Sequence, residues 1–205
     1  LISNRRAPVA KKIYEELGGS SPILKLTKEQ SGALETKLNQ TEAENEYKCF
    51  IVMRCWNPRA NDVIKDVQLF NPEEVILMPL YPQYSAATSG SSIKEWKDVC
   101  KKNNYQVKTS TICCYPTDQN FINAHTKEIT KKTKDLKNFK LIFSAHGLPE
   151  KNIKKGDPYQ WQVEQSVKKI VENLNIKNLD WILSYQSRVP TKVDRPSTED
   201  IIMKI

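Results

Sequence analysis

The chain has 205 residues, long enough to bury a core as one domain or two small ones. Its 39% hydrophobic and 27% charged residues are ordinary for a globular protein. The longest clean apolar run, Val75–Leu80, falls far short of the ~20 residues that a membrane-spanning helix needs. A formal charge of +8 favours anionic partners: nucleic acid, a membrane surface touched peripherally, or an acidic small molecule. The lysine pairs Lys131–Lys132, Lys154–Lys155 and Lys168–Lys169 are mixed with acids or amides, and no arginine–aromatic interleaving marks a base-reading surface, so nucleic acid is not expected. Five cysteines without a CxxC, two of them adjacent at Cys113–Cys114, argue for reduced thiols and a cytoplasmic setting.

Leu1–Lys12 is polar and basic, without the apolar core of a signal peptide. The chain does not start with Met, and a longer polypeptide is expected. Val9, Ile13 and Leu17 keep a helical rhythm over Arg5–Leu17, which Gly18–Gly19 stops. Ser20–Pro22 reads as a turn, and Thr27 with Gln30 resembles a capping box for a second helix to about Leu38. Thr41–Tyr47 is an acidic loop.

A strand–helix alternation follows. Cys49–Met53 reads as a first strand ending in Arg54, with a turn at Asn57–Pro58, then a helix over Ala60–Phe70 with Val63, Val67 and Phe70 on one face. Val75–Leu80 is the second strand, ending in Tyr81–Ser85, and Gly90–Ser92 leads into a helix through Cys100. Val107–Cys114 is the third strand, and a helix runs from Asp118 to about Lys134. Leu141–Phe143, a short apolar run without helical spacing, is read as a buried strand that ends at Ser144, Ala145, His146 and Gly147. Pro158–Leu174 is the next helix, and Leu179–Ser184 is the fifth strand, ending in Tyr185–Arg188. Strands alternating with helices predict parallel βαβ units and an α/β layered fold.

Four of the five strand ends carry polar or aromatic residues: Arg54; Tyr81, Gln83 and Tyr84; His146; Tyr185, Gln186 and Arg188. Parallel strands would bring these to one rim, where α/β sheets bind ligands. An imidazole, flat phenol rings and guanidinium groups suit a planar, aromatic, anionic ligand. GxGxxG, GxxxxGK[ST] and GxSxG are all absent, which argues against dinucleotide, nucleotide-triphosphate and α/β-hydrolase sites. His125, within a helix, is read as a solvated surface residue.

SAHGLP at Ser144–Pro149 followed by GDPY at Gly156–Tyr159 resembles the signature of the ferrochelatase family. The likeness extends to PLYPQYSAATSGSS at Pro79–Ser92, YQSR at Tyr185–Arg188 and PSTED at Pro196–Asp200. RR at Arg5–Arg6, GGSSP at Gly18–Pro22 and MRCWNP at Met53–Pro58 match in order as well. The resemblance implies two Rossmann-like, chelatase-type parallel-sheet domains around a porphyrin cleft, both incomplete here. Residues 1–115 would be the later part of the first domain and residues 116–205 the earlier part of the second, which carries the His motif. It implies insertion of Fe²⁺ into protoporphyrin or coproporphyrin, with release of two protons. His146 is then the catalytic, metal-facing imidazole, either ligating Fe²⁺ or accepting a pyrrole N–H proton, two roles the sequence does not separate. Arg5, Arg6, Ser21, Arg54 and Tyr84 are the implied porphyrin-contacting set. Fe²⁺ is a substrate in this reading; no cofactor and no iron–sulfur centre is expected. The family's opening strand with its Gly-rich loop and its second metal-site glutamate are expected outside residues 1–205. At Gln186–Pro190 the family's usual Gly is missing, and Val193–Asp194 lie near its Trp position. The rival expectation is a truncated, non-catalytic tetrapyrrole-binding remnant.

Overall fold

The computed structural model describes residues 2–16, 18–42, 44–186 and 196–204, with side chains from Ala7 onward within those ranges. Two compact units divide the chain, Leu1–Asn71 and Pro72–Ile205.

The first unit is helical. Helix α1 (Ile2–Glu16) ends where Gly18 and Gly19, with φ of 90° and 91°, turn the chain, and the Gly19 N–H donates to Tyr14 O at 2.7 Å. Helix α2 (Ile23–Thr41) starts four residues before the expected capping box. Pro22 precedes its first residue and the Ser21 hydroxyl accepts from Ile23 N at 3.3 Å, so the chain is already helical at Thr27. The Thr27 hydroxyl accordingly donates back to Ile23 O at 2.7 Å rather than capping. The expected strand Cys49–Met53 forms no ladder among the described residues. The extended chain is instead held along α2: Asn39 bonds the Tyr47 main chain through both its amide atoms at 2.8 Å, and Glu35 accepts from Cys49 N at 2.7 Å. Helix α3 (Ala60–Phe70) has the predicted bounds. It starts with Asp62 accepting from Arg59 N and ends at Asn71 in the left-handed conformation. Ala60, Val63, Ile64 and Val67 form its buried stripe at the 3.6-residue period.

The second unit is α/β. Strands β1 (Glu74–Leu77) and β2 (Lys108–Thr111) pair in parallel, connected through α4 (Ser91–Lys102). Strands β3 (Lys140–His146) and β4 (Asp180–Gln186) pair in parallel, connected through α6 (Glu150–Lys154) and α7 (Tyr159–Leu174). Helix α5 (Gln119–Thr133), capped by the Asp118 carboxylate, packs beside α7, and α8 (Thr198–Ile202) follows a bridge between Tyr185 and Ser197. The α/β alternation is as expected, but the strands form two separate pairs instead of one rim. One pair lies wholly before Tyr115 and the other wholly after it. Because two strands expose most of both faces, the apolar run beginning at Val75 is not interior: Ile76 is 55% and Leu80 53% exposed. Leu141, Ile142 and Phe143 are likewise half-buried rather than buried.

The core of this unit lies between β3–β4 and α7. Val163 and Val167 bury with Tyr185 against Phe143, Ala145, Tyr159, Val171 and Leu183. Each buried aliphatic or aromatic side chain there contributes roughly 1.5–3 kcal/mol. That packing fixes where the C-terminal end of β3 points.

Candidate functional site

His146 is the last residue of β3, and its side chain is exposed. Three neighbours fix its main chain. The ladder sets it opposite Gln186, and the following Gly147 N–H donates to Gln186 O at 2.8 Å. The phenol of Tyr159, at the start of α7, is bonded by the His146 backbone. Burial pushes that phenol above its ordinary pKa, and the backbone bond pulls the other way. Two residues earlier on the paired strands, the Thr198 hydroxyl meets Ser144 and Ser184, each at 2.9 Å, and Ser184 also donates to Phe143 O at 3.0 Å. The imidazole is therefore free to meet a ligand while its backbone is held on three sides.

The segment after β1 is held as tightly, by side chains of the β3–β4 half. Gln83 Nε2 donates to Ser166 Oγ at 2.8 Å, and Tyr84 N donates to Gln162 Oε1 at 2.7 Å. The Asp157 carboxylate accepts from the Ser85 hydroxyl at 2.8 Å, Ala86 N at 2.9 Å and Tyr159 N at 3.1 Å. Ser166 also donates to Pro116 O at 2.7 Å. Gln162, Ser166 and Ser85 are buried, so the bonds they make are partly shielded from water, whereas the Ala86–Asp157 bond is exposed. Asp157 reaches its position because Gly156, at φ 90°, turns the chain after α6. Beyond Ser85 the backbone makes a single π turn, Ala86–Gly90, a form that recurs at functional sites. Gly90 lies against the half-buried Tyr84: a Cβ there would sit 2.6 Å from the phenol oxygen.

Tyr84 and His146 thus lie on segments held by neighbouring residues of the GDPY run, Asp157 for the first and Tyr159 for the second. The remaining expected residues belong to the first unit. Ser21 is exposed and occupied with the α2 start. Arg54 is half-buried, within the bend closed by the Met53 N to Pro58 O bond of 2.7 Å. Arg5 and Arg6 are in α1, and their side chains fall outside the described set. Ser187, Arg188 and the Val189–Asp194 stretch lie outside the described residues. His125 is exposed and stacks edge-on against Phe121 at 4.6 Å, in keeping with a surface residue. Among the described residues no group of three or more His, Cys, Asp or Glu side chains could hold a metal ion.

Sequence reasoning assigned no role to Gln162, Ser166 or Thr198. Gln162 and Ser166 share one face of α7 with Val163 and Val167, and a glutamine and a serine on an apolar face were the available signal. Thr198 stood inside the quoted PSTED run without a partner that sequence could name.

A family model described as Ferrochelatase matches residues 1–205. The chain is 89% identical to a ferrochelatase of Pelagibacter ubique (strain HTCC1062), over all of this chain and 60% of that protein. It is 49% identical to a ferrochelatase of a Wolbachia of Drosophila simulans over 99% of this chain and 65% of that protein. With a ferrochelatase of Rickettsia bellii it shares 47% identity over 98% of this chain and 56% of that protein. The chain thus spans roughly three-fifths of the length of the curated relatives it matches.

Proposed function

The chain belongs to the ferrochelatase family, and from that premise we propose that it inserts Fe²⁺ into a porphyrin, protoporphyrin IX or coproporphyrin III, in haem synthesis. The observation that carries this reading is His146: an exposed imidazole at the carboxyl end of a parallel strand, on a backbone held by Gly147, Gln186 and Tyr159. A preset backbone with an open side chain suits a group that must meet a metal ion and two pyrrole nitrogens without reorganising first.

The chemistry asks little more of the protein. Two N–H protons must leave the macrocycle as Fe²⁺ enters. A neutral imidazole nitrogen can bind Fe²⁺ or accept one of those protons. Tyr84 supplies a flat surface for the macrocycle. Arg5, Arg6 and Arg54 supply cations for its propionates, and Ser21 a hydroxyl. No helix among the described residues is long and apolar enough to cross a membrane, and the five free cysteines suit a reducing, cytoplasmic setting.

The test is anaerobic incubation of the chain, alone and extended to the full length of its relatives, with Fe²⁺ and each porphyrin, following haem formation by absorbance. His146→Ala abolishes insertion in whichever form is active and leaves porphyrin affinity nearly unchanged, while His125→Ala has no effect. Normal turnover in His146→Ala would sink the assignment. Fluorescence quenching by porphyrin with no turnover in either form would favour the non-catalytic remnant.

A further inference from the structure

We propose that Cys113 and Cys114, directly after β2, form a dithiol site for a trivalent organoarsenical of the type R–As(OH)2. The proposal does not depend on the porphyrin reading, although Gln162 holds both Cys114 and the Tyr84 main chain.

The two sulfurs face each other at 2.9 Å, with Cys113 exposed and Cys114 half-buried. Neighbouring cysteines do not meet in this way by default, because successive side chains of extended backbone point to opposite sides. Here the chain has left β2 and is turning into Tyr115, whose N–H donates to Pro82 O at 2.8 Å. The inner sulfur is positioned from below by Gln162, whose Nε2 donates to Cys114 Sγ at 3.6 Å. The outer one is open to solvent, so a ligand has a path to the pair.

Two sulfurs so close select among soft ligands by geometry. Zinc takes four ligands, and no third His, Cys, Asp or Glu joins the pair among the described residues. With metal–sulfur bonds of about 2.3 Å, linear two-coordination holds its sulfurs about 4.6 Å apart, whereas a pyramidal centre with bond angles near 90° holds them about 3.3 Å apart. The observed separation lies on the pyramidal side. Trivalent arsenic is soft and pyramidal, and an organoarsenical brings its own carbon as the third substituent. Binding is a condensation. Two As–O bonds break, two As–S bonds form, and each departing hydroxide leaves as water with one thiol proton, so no oxidant or reductant is consumed. The bond to Cys114, with some burial, holds the Cys113 thiol above its ordinary pKa.

The test uses the reduced chain and phenylarsine oxide. Intact mass should show a single phenylarsenic adduct at one equivalent, with two thiols lost from a thiol titration. Because the second As–S bond forms within one molecule, Cys113→Ser and Cys114→Ser should each weaken binding by roughly 10²–10⁴-fold. Cys49→Ser, Cys55→Ser and Cys100→Ser should leave it unchanged, and a small dithiol should strip the adduct where a monothiol does not. Circular dichroism checks each variant's fold, and the exposed Cys113 keeps the test decisive if Cys114→Ser unfolds. Unchanged affinity in Cys113→Ser, or an adduct that consumes a single thiol, would overturn the proposal.

Discussion

At the scale of single residues, the candidate site is a matter of what holds each side chain and what leaves it open. Gly90 gives the sharpest case, since an added methyl would occupy space taken by the Tyr84 hydroxyl. Gly90→Ala should tilt the Tyr84 ring and cost about 1–3 kcal/mol of stability through overpacking. Gly90→Ala combined with Tyr84→Phe, which removes the clashing oxygen, should recover most of that loss in thermal melts. For the arginine pair, Arg5→Ala with Arg6→Ala should weaken porphyrin binding by up to about 1.5–3 kcal/mol for each charge-assisted hydrogen bond lost. A fluorescence-quench titration measures it, and an unchanged dissociation constant would remove both from the propionate set. His146 was legible because a titratable group at a strand end is chemically conspicuous. Asp157 stood inside a recognised run, yet its task of gathering three hydrogen bonds was not, because its partners Ser85 and Ala86 lie some seventy positions away.

At the scale of elements, the helices with amphipathic stripes were the most readable parts. α3 and α7 begin and end within a residue of expectation because Val63, Ile64 and Val67, and Val163, Val167 and Ile170, repeat at the helical period. Strands were harder. Cys49–Met53 has a strand's composition, but a strand is defined by its neighbour, and none pairs with it among the described residues. The β1–β2 pair also carries a pH dependence. Lys108 beside Glu74, with the Ser110 hydroxyl, holds the Glu74 carboxyl below its ordinary 4.5. A carboxyl lowered in the folded state adds stability above its unfolded value, and that stability is lost as pH falls through the folded value. Lys108 is raised by the same partner, so its share persists to alkaline pH. Glu74→Gln should therefore melt earlier than the parent at pH 6 and converge with it in acid. Equal melting at pH 6 would show that so exposed a pair contributes nothing.

For the whole molecule, the family was legible along its length because ordered motifs from Arg5 to Asp200 recur in sequence, and the family match covers every residue. The division of the strands into two pairs was not legible. Both pairs have the same local pattern, and only long-range contacts decide which strands meet. Neither two-stranded sheet would be stable by itself in water. The second unit coheres through α7, which buries its apolar stripe on β3–β4 while its polar residues reach the segment after β1. Hydrogen exchange should report this as shared protection: Asp157→Ala, which leaves Ser85 and Ala86 without their acceptor, should cost about 1–3 kcal/mol. It should raise exchange at Tyr84–Ala86 and at Tyr159 together. A local increase at Ala86 alone would mean that the two halves open independently.

The same bonds have a meaning in time. Gln83–Ser166, Tyr84–Gln162 and Ser85–Asp157 join positions 83, 78 and 72 residues apart. Closing loops of that length is an entropic cost that the chain meets before any of these bonds can form. The helices and the two parallel pairs involve shorter separations, so they condense first and the bonds between them close last. Contacts made after the barrier govern escape from the native state, not arrival at it. Asp157→Ala should accordingly leave the refolding limb of a chevron in place and raise the unfolding limb without changing its slope, with a φ-value near zero. The segment that carries Tyr84 would then be the last part of this unit to be fastened and the first to be released.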